Sequence, residues 1–568
     1  MNRRPSKIHE YAAQGDLKGV QKELRQGVKV DARDDRDLTP LAAAAKSPDA
    51  GVEMLQLLLS AGANINAAVD SAMTFPLALA AGSGDLAKVH CLLDAGANVN
   101  AATPHGYTPL IMVFSSSKSE RLLPVIDVLV KRGADIDALT SFSESPLTRA
   151  IAVGAIDALR YLLDAGAKTD QLIWTPLMMA IVRGNIDDVR SQLGDPQAMT
   201  ARDSSRRTPW LLSALVGEVE KAKLLRAQGV DLEERGWMGD TALATCARQG
   251  HLDMARWLIE EGADVNSADD MGDTLLMSAT QAGHVDCVEL LLSAGADLHR
   301  VNEVNETAIA LAEDERVARL LFKAGASLDH VNKRTRRLIT GLKDGEHLNL
   351  TRAEYLAGRY PHEGISNPEK MDVPFWREMV RAGITAYQAK VQFDDVDNRE
   401  SPVWCFDRFG TSLTELPDGR FVQIGGEHED FYDRDFYIYN DIVVHEHGGA
   451  FQIYGYPRDL FPPTDFHTAT YVDGCIYIIG SLSYTSERKF ETTPVYRLDC
   501  KSWKIERIET TGDAPGWIHK HKAVLIGNQA IVVSGGTIAR EAFEREVHVA
   551  NTDQFQLDLS EMKWSWVG

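Results

Sequence analysis

The sequence predicts a multidomain chain. An all-α solenoid of about ten helix-hairpin repeats covers residues 1–332, a helical adaptor covers 333–400, and an all-β domain with about three repeats covers 401–568. Three observations carry this reading. A Thr-Pro-Leu-like phrase recurs from Thr39 to Thr307 at intervals of 36, 33, 37, 30, 33, 33, 33 and 33 residues. That period stops near residue 332, and a polar, partly helical stretch follows. From about 401 the pattern turns to short alternating runs rich in β-branched and aromatic residues, such as "RFVQIGG" and "HTATYVDGCIYIIGS".

Each α repeat is readable as physics. A Thr or Ser (Thr39, Thr108, Ser145, Thr175, Thr208, Thr241, Thr274) caps the first helix by accepting from its free N–H groups. Proline often follows, at the first helical position, where its missing N–H costs nothing. A turn with glycine leads to a second amphipathic helix, which ends at Gly62, Gly96, Gly133, Gly166, Gly229, Gly262, Gly295 or Gly325. The closing phrase is "AGANIN", "AGANVN", "RGADID" or "EGADVN". A unit of this kind cannot bury its apolar face alone, so units stack. The pattern resembles the ankyrin repeat. It departs from that family's T-P-L-H phrase, since Ala42, Ala78, Ile111, Thr148 and Met178 replace the histidine. The sixth repeat, with "RSQLGDPQAMTARD" in place of the usual ending, is expected to be a soft point of the stack. The first repeat, near Ile8–Asp34, and the tenth, near Glu303–Asn332, read as caps.

In the adaptor, "VPFWREMVRAGITAYQAKVQF" has helical spacing of Trp376, Met379 and Val380, and it reads as a packed helical element rather than a flexible tether. The β region repeats as well. Gly425-Gly426, Gly480-Ser481 and Gly535-Gly536 lie 55 residues apart, each after an apolar run. His467 and His521 open "HTATYVDG" and "HKAVLIGN"; Trp503 and Trp564 close the later repeats. This resembles the kelch motif, one four-stranded propeller blade per repeat. The resemblance implies that the paired glycines sit where neighbouring backbones crowd, and that the tryptophans fill the gaps between blades. Three repeats are fewer than a closed propeller uses. A partial or small propeller is therefore expected, with its exposed edge covered by the adaptor or by a second chain.

Bulk chemistry narrows the function. The formal net charge is −22, and residues 400–568 hold 26 acidic and 15 basic residues, half of that excess. Such a chain repels phosphate backbones, so nucleic acid is not an expected ligand, whereas a basic protein would be steered in. Six scattered cysteines form no C-x-x-C pair and suit a reducing compartment. No stretch reaches membrane-spanning length. A cytoplasmic protein without a membrane partner is the expectation. No P-loop, nucleophile elbow or metal-ligand spacing is present, so no catalytic residue, metal or cofactor is assigned.

Two sets of residues are candidates for partner binding. On the hairpin tips these are Tyr107, Phe142, Trp174, Trp237, Met238 and Met271, because aromatic and methionine side chains anchor protein interfaces. Packing between neighbouring hairpins is the competing account of each ring. In the β domain the candidate is the acidic loop Glu427, His428, Glu429, Asp430, Phe431, Tyr432, Asp433 and Asp435, where carboxylates alternate with aromatics. A solvated acidic turn competes with recognition there. A metal held by His428 with Glu427 or Asp430, plus His445 and His447, is a weaker alternative, because the spacing is not that of a specific ligand set.

The two resemblances together imply a non-catalytic interaction scaffold. Bacterial ankyrin proteins often neutralise secreted toxins, so an immunity role toward a basic toxin or effector is the finer expectation. A substrate-recruiting adaptor, or a kelch-type enzyme or carbohydrate- or metal-binding propeller, are the alternatives.

Overall fold

A computed structural model of the chain describes residues 7–69, 73–115, 122–328, 331–342, 345, 347–396, 401–428, 436–542 and 545–568. The chain divides into two compact units, Met1–Ala308 and Ile309–Gly568.

Unit one is a stack of helix pairs, from Lys7–Gln14 with Leu17–Arg25 to Leu275–Gln281 with Val285–Ser293. First helices pack on first helices of neighbouring repeats, and second helices on second. The predicted caps are in place. Thr39, Thr108, Ser145, Thr175, Thr208, Thr241 and Thr274 each accept from the N–H three residues on, at 3.2–3.4 Å. The closing glycines of this unit have φ between +84° and +95°, the left-handed region that ends a helix without a Cβ clash.

The polar residue ending the closing phrase stitches repeats together. Asn66 accepts from Asn98 N, Asn100 from Asp135 N, Asp137 from Lys168 N and Asn266 from Asp297 N, at 2.7–2.9 Å. Among the described residues this ladder is absent at the sixth repeat. There a short extra helix, Pro196–Thr200, replaces the glycine turn. Lys88 and Lys221 are buried, yet their ammonium groups stay satisfied by backbone carbonyls of preceding repeats (Ala44 O at 3.0 Å, Ile181 O at 2.9 Å).

Among the described residues, unit two holds the helices Glu315–Lys323, Lys333–Ile339, Arg352–Gly358, Pro374–Ala382 and Ala386–Gln392, and then seventeen strands counted from one within the helical region. The helix Glu315–Lys323, assigned from sequence to the tenth repeat, lies in this unit. The strands are β1 (Glu369–Lys370), β2 (Ser412–Glu415), β3 (Phe421–Ile424), β4 (Ile442–His445), β5 (Phe451–Gly455), β6 (Thr468–Val472), β7 (Cys475–Ile479), β8 (Val495–Asp499), β9 (Ile505–Arg507), β10 (Thr511–Gly512), β11 (Trp517–His519), β12 (Lys522–Ile526), β13 (Ala530–Ser534), β14 (Thr537–Ala542), β15 (Arg545–Ala550), β16 (Gln554–Asp558) and β17 (Lys563–Trp566). Three four-stranded antiparallel arrays result: the meanders β2-β3-β4-β5 and β6-β7-β8-β9, and β12-β13-β16-β17, which β14 and β15 interrupt along the chain. The adaptor adds β1 to the outer edge of the first, β10 runs parallel to β17, and β11, β14 and β15 form a small separate sheet. Strand β2 lies against β6, and β6 against β12. Among the described residues no closed ring forms.

Each gap between layers is a core. Trp376 stacks on Trp404 at 5.0 Å, and Tyr355 lies between Phe375 and Phe393. This aromatic cluster packs against Tyr439, Val443 and Ile453 and so covers one face of the first sheet. Trp503 closes the core between first and second sheets, and Trp564 the one between second and third.

The junctions between sheets are built alike. Gly426 N–H donates to Thr464 O at 2.8 Å, and Ser481 N–H to Ile518 O at 3.0 Å. Phe466 N–H donates to Gly410 O at 2.7 Å, and Lys520 N–H to Phe466 O at 2.8 Å. A Cβ at Gly425 would lie 2.1 Å from Thr464 O, and one at Gly480 2.4 Å from Ile518 O, so only glycine fits. The histidines at the repeat openings fasten the same junctions: His467 Nε2 lies 2.7 Å from Ser412 Oγ, and His521 Nε2 2.9 Å from Thr468 Oγ1.

A buried ion pair ties the segment that leads into β2 to the first sheet. The guanidinium of Arg408 grips both carboxylate oxygens of Asp441, donates to Cys405 O at 2.7 Å and Gly425 O at 3.2 Å, and lies 3.5 Å from the ring centre of Tyr439. Asp441 also accepts from Trp404 Nε1 at 2.9 Å. Removing one member leaves a buried, unpaired charge. Arg408→Met is therefore expected to lower stability by about 3–5 kcal/mol, while Arg408→Met with Asp441→Asn recovers part of the loss. Urea titration followed by tryptophan fluorescence measures both, and a single-variant loss below about 1 kcal/mol would reject the role given to this pair.

Burial holds His467 down to about 3 and His521 down to about 4. Below the ordinary value near 6.5, the unfolded chain binds protons that both folded histidines refuse. Stability is then fully present above about pH 6.5 and falls as pH falls toward 4, by up to ~1.4 kcal/mol per pH unit for each histidine. His467→Gln combined with His521→Gln is expected to flatten this slope. An unchanged slope in urea midpoints measured from pH 7.5 to 4.5 would exclude these two residues as its source.

Candidate partner-binding surfaces

The hairpin tips of unit one share a backbone device. The residue two before each helix cap is left-handed: Asp37, Met73, Gly106, Ser143, Ile173, Arg206, Gly239, Gly272 and Asn305, with φ between +53° and +83°. A side chain three residues further upstream holds the turn. Asp34, Thr103, Thr140, Asp203, Asp269 and Asn302 each accept from the N–H four residues on, at 2.7–3.1 Å. Neighbouring tips are joined by backbone bonds: Ser141 N–H to His105 O, Ser204 N–H to Leu172 O, Asp270 N–H to Met238 O and Glu303 N–H to Met271 O, at 2.8–3.0 Å. The tips are thus a braced row that presents side chains in fixed order.

The sequence-predicted tip residues divide into two groups. Tyr107 is half-buried and donates to Glu144 Oε2 at 2.9 Å, which holds the ring between adjacent hairpins; that hydrogen bond also raises its phenol pKa. Trp174 is half-buried too. Phe142 is 66% exposed with its ring 5.9 Å from His105, and Trp237, Met238 and Met271 are 59%, 46% and 45% exposed. Sequence reasoning missed Ile173, as exposed as Phe142. The signal was its place two residues before the Thr175 cap, where the left-handed turn turns a side chain outward.

Beside Trp237 lies a groove of about 430 Å³ lined by Ser205, Arg207, Leu215, Trp237, Asp240 and Arg248 among others. Arg207 pairs with Asp203 at 3.1 Å, and Arg248 with Asp240 at 2.5 Å. The guanidinium of Arg206 lies 6.0 Å from the Trp237 ring. An apolar floor, an exposed indole and two arginines already oriented by aspartates make a cleft suited to an amphipathic segment of another protein.

In the acidic loop of unit two, Glu429, Asp430, Phe431, Tyr432, Asp433 and Asp435 lie outside the described residues. The two described members are not a solvated turn. His428 is buried. Glu427 bridges Phe409 and Ile438, and its carboxyl faces Asp465. Burial and the neighbouring Asp465 charge push Glu427 up to about 7. Asp465 is itself fully buried, accepts from Ser483 N at 2.6 Å and Ser481 Oγ at 3.2 Å, and is also shifted upward by burial. Burial and the second carboxyl both oppose ionisation of Glu427. Strand β4 begins only at Ile442, after a single bridge at Ile438. Asn440 instead ties the segment down, donating to Tyr456 O and Phe461 O at 3.0 and 2.7 Å.

Among the described residues, no three His, Cys, Asp or Glu side chains are grouped to hold a metal ion. His445 is buried beside Phe406, whereas His447 is exposed and meets Asp418 O at 2.8 Å. Burial pushes the thiols of Cys287 and Cys500 up to about 11 and about 12, so neither is a thiolate near neutral pH. No described helix is long and apolar enough to cross a membrane.

A family profile of ankyrin repeats in three copies matches residues 8–103, 41–138, 111–203, 177–269 and 210–302. These overlapping matches run unbroken from 8 to 302, over more than half of the chain. Ankyrin repeats are protein–protein interaction modules, and by this match and by its capped, stacked helix pairs the chain belongs to the ankyrin-repeat family.

Proposed function

We propose that the protein is a non-catalytic scaffold that binds a partner protein along the hairpin tips of its ankyrin array and neutralises it, as an immunity protein neutralises a toxin. One observation carries the binding surface: Phe142, Ile173, Trp237, Met238 and Met271 stand exposed on a braced row, with a groove opening beside Trp237. Exposed aromatic and methionine side chains on a rigid frame lose little entropy on binding and bury much apolar area. Tyr107 and Trp174, being half-buried, serve the frame more than the contact.

The array extends in this reading through residue 332, followed by the adaptor to 400 and a kelch-like domain from 401. Three four-stranded antiparallel sheets with glycines 55 residues apart, at Gly425, Gly480 and Gly535, support the kelch-like reading. The net charge of −22 supports a basic partner, such as a toxin or effector, and scattered unpaired thiols support a cytoplasmic setting. In the same scheme the remaining acidic residues of that loop, Glu429, Asp430, Asp433 and Asp435, are a second recognition element, while Glu427 and His428 serve the frame.

Affinity purification from the source cell, with the intact chain and with Trp237→Ala/Met238→Ala side by side, tests the surface. A co-purifying protein is expected with the intact chain, reduced about tenfold or more by the double variant. Equal recovery with both would remove the tip surface from the interface. A partner with an acidic isoelectric point would remove the electrostatic part of the proposal.

A further inference from the structure

Unit two repeats one backbone socket three times, and two of the three are filled. At the first, Gly410 C=O and Gly426 N–H hold the extended segment Thr464–Phe466; at the second, Phe466 C=O and Ser481 N–H hold Ile518–Lys520. By the same register the third consists of Lys520 C=O and Gly536 N–H. Among the described residues neither of these groups has a hydrogen-bond partner. The glycines agree. A Cβ at Gly425 or Gly480 would strike the carbonyl of the segment seated there, whereas nothing lies within 4 Å of one at Gly535.

The face beside the third socket is also prepared. Val524 and Ile526 on β12 are 55% and 53% exposed, while Val472, which holds the place of Ile526 on β6, is buried against the third sheet. One position differs in kind. Ser412 and Thr468 offer hydroxyls to the incoming His467 and His521, but the corresponding residue of the third socket is Lys522, and it is exposed. Lys520 stands exposed two residues before it.

We infer that this third socket is a second binding site, independent of the ankyrin tips, which takes an extended segment of a partner protein by backbone pairing. The segment places an acidic side chain on Lys522, where the two resident segments place histidine. The two backbone bonds set direction and register, Val524 and Ile526 take apolar side chains, and Lys522 supplies the selectivity.

The probe is a fluorescein-labelled peptide copying residues 462–473 and carrying His467→Glu, titrated with the full chain by anisotropy. A second peptide carries His467→Lys. Saturable binding of the acidic peptide is expected, about tenfold or more tighter than the lysine peptide. Lys522→Glu reverses that order. Gly535→Asn weakens both by placing a side chain where the seated carbonyl belongs, and asparagine tolerates the left-handed backbone. Urea midpoints confirm that the variants fold, and if Gly535→Asn does not, Lys522→Glu alone decides. No binding of either peptide, equal binding of both, or binding unaltered by Lys522→Glu overturns the inference. So does sedimentation showing self-association that Lys522→Glu abolishes, because the occupant is then a second copy of this chain.

Discussion

Neither kind of repeat in this protein can bury its own apolar face. A helix pair exposes one side of its first helix, and a four-stranded meander exposes a whole sheet face, until the next unit is laid on it. Everything else in the structure answers that constraint. In the ankyrin array the answer is a ladder, interrupted at the sixth repeat, in which the asparagine or aspartate of one closing phrase caps the backbone of the next. In the β unit it is a pair of backbone bonds at each junction, permitted because glycine leaves room for the neighbouring carbonyl.

The same constraint explains the adaptor. The first meander has no earlier meander to lie against it, and the cluster around Trp376 and Trp404 takes that place. Residues Glu369–Lys370 then extend the sheet at its outer edge, blunting an edge that would otherwise invite pairing. Arg408 and Asp441 lock the arrangement. Because Arg408 also donates to Gly425 O, the pair joins the segment before β2 to the first glycine junction. A charge pair so fully enclosed contributes less to net stability than to uniqueness of packing, since any shift of register would strand one of the charges.

Much of this was legible in the sequence because it rests on short, local chemistry. Threonine before Pro-Leu caps a helix wherever it occurs, and glycines at a fixed interval mark the ends of equivalent strands. The tryptophans at 503 and 564 were placed between sheets for the same reason, and they lie there. What escaped the sequence depends on contacts between distant segments. Glu427 looks like one more solvated carboxylate beside its acidic neighbours; only the fold brings it to Asp465 and moves its proton. Ile173 is one more apolar residue beside Trp174 in the sequence, and only the left-handed turn at its own position faces it outward. The pairing of Glu369–Lys370 with Tyr454 and Gly455 spans more than eighty residues, and no periodicity announces it.

A stack satisfies its constraint everywhere except at its ends, so its ends are where chemistry must differ from the repeat. At the beginning of the β unit the difference is a helical cover with an aromatic core. At the third sheet the difference is a substitution: lysine replaces the hydroxyl that elsewhere receives a histidine, while the glycine, the free N–H and the free carbonyl of the junction are retained. A face whose only task was to meet water would not need a glycine kept clear of its neighbours, and a face meant for another identical unit would keep the hydroxyl. Retention of the backbone groups together with a change of the side-chain partner is the combination that fits an extended strand of different sequence, held by the same two bonds and chosen by charge.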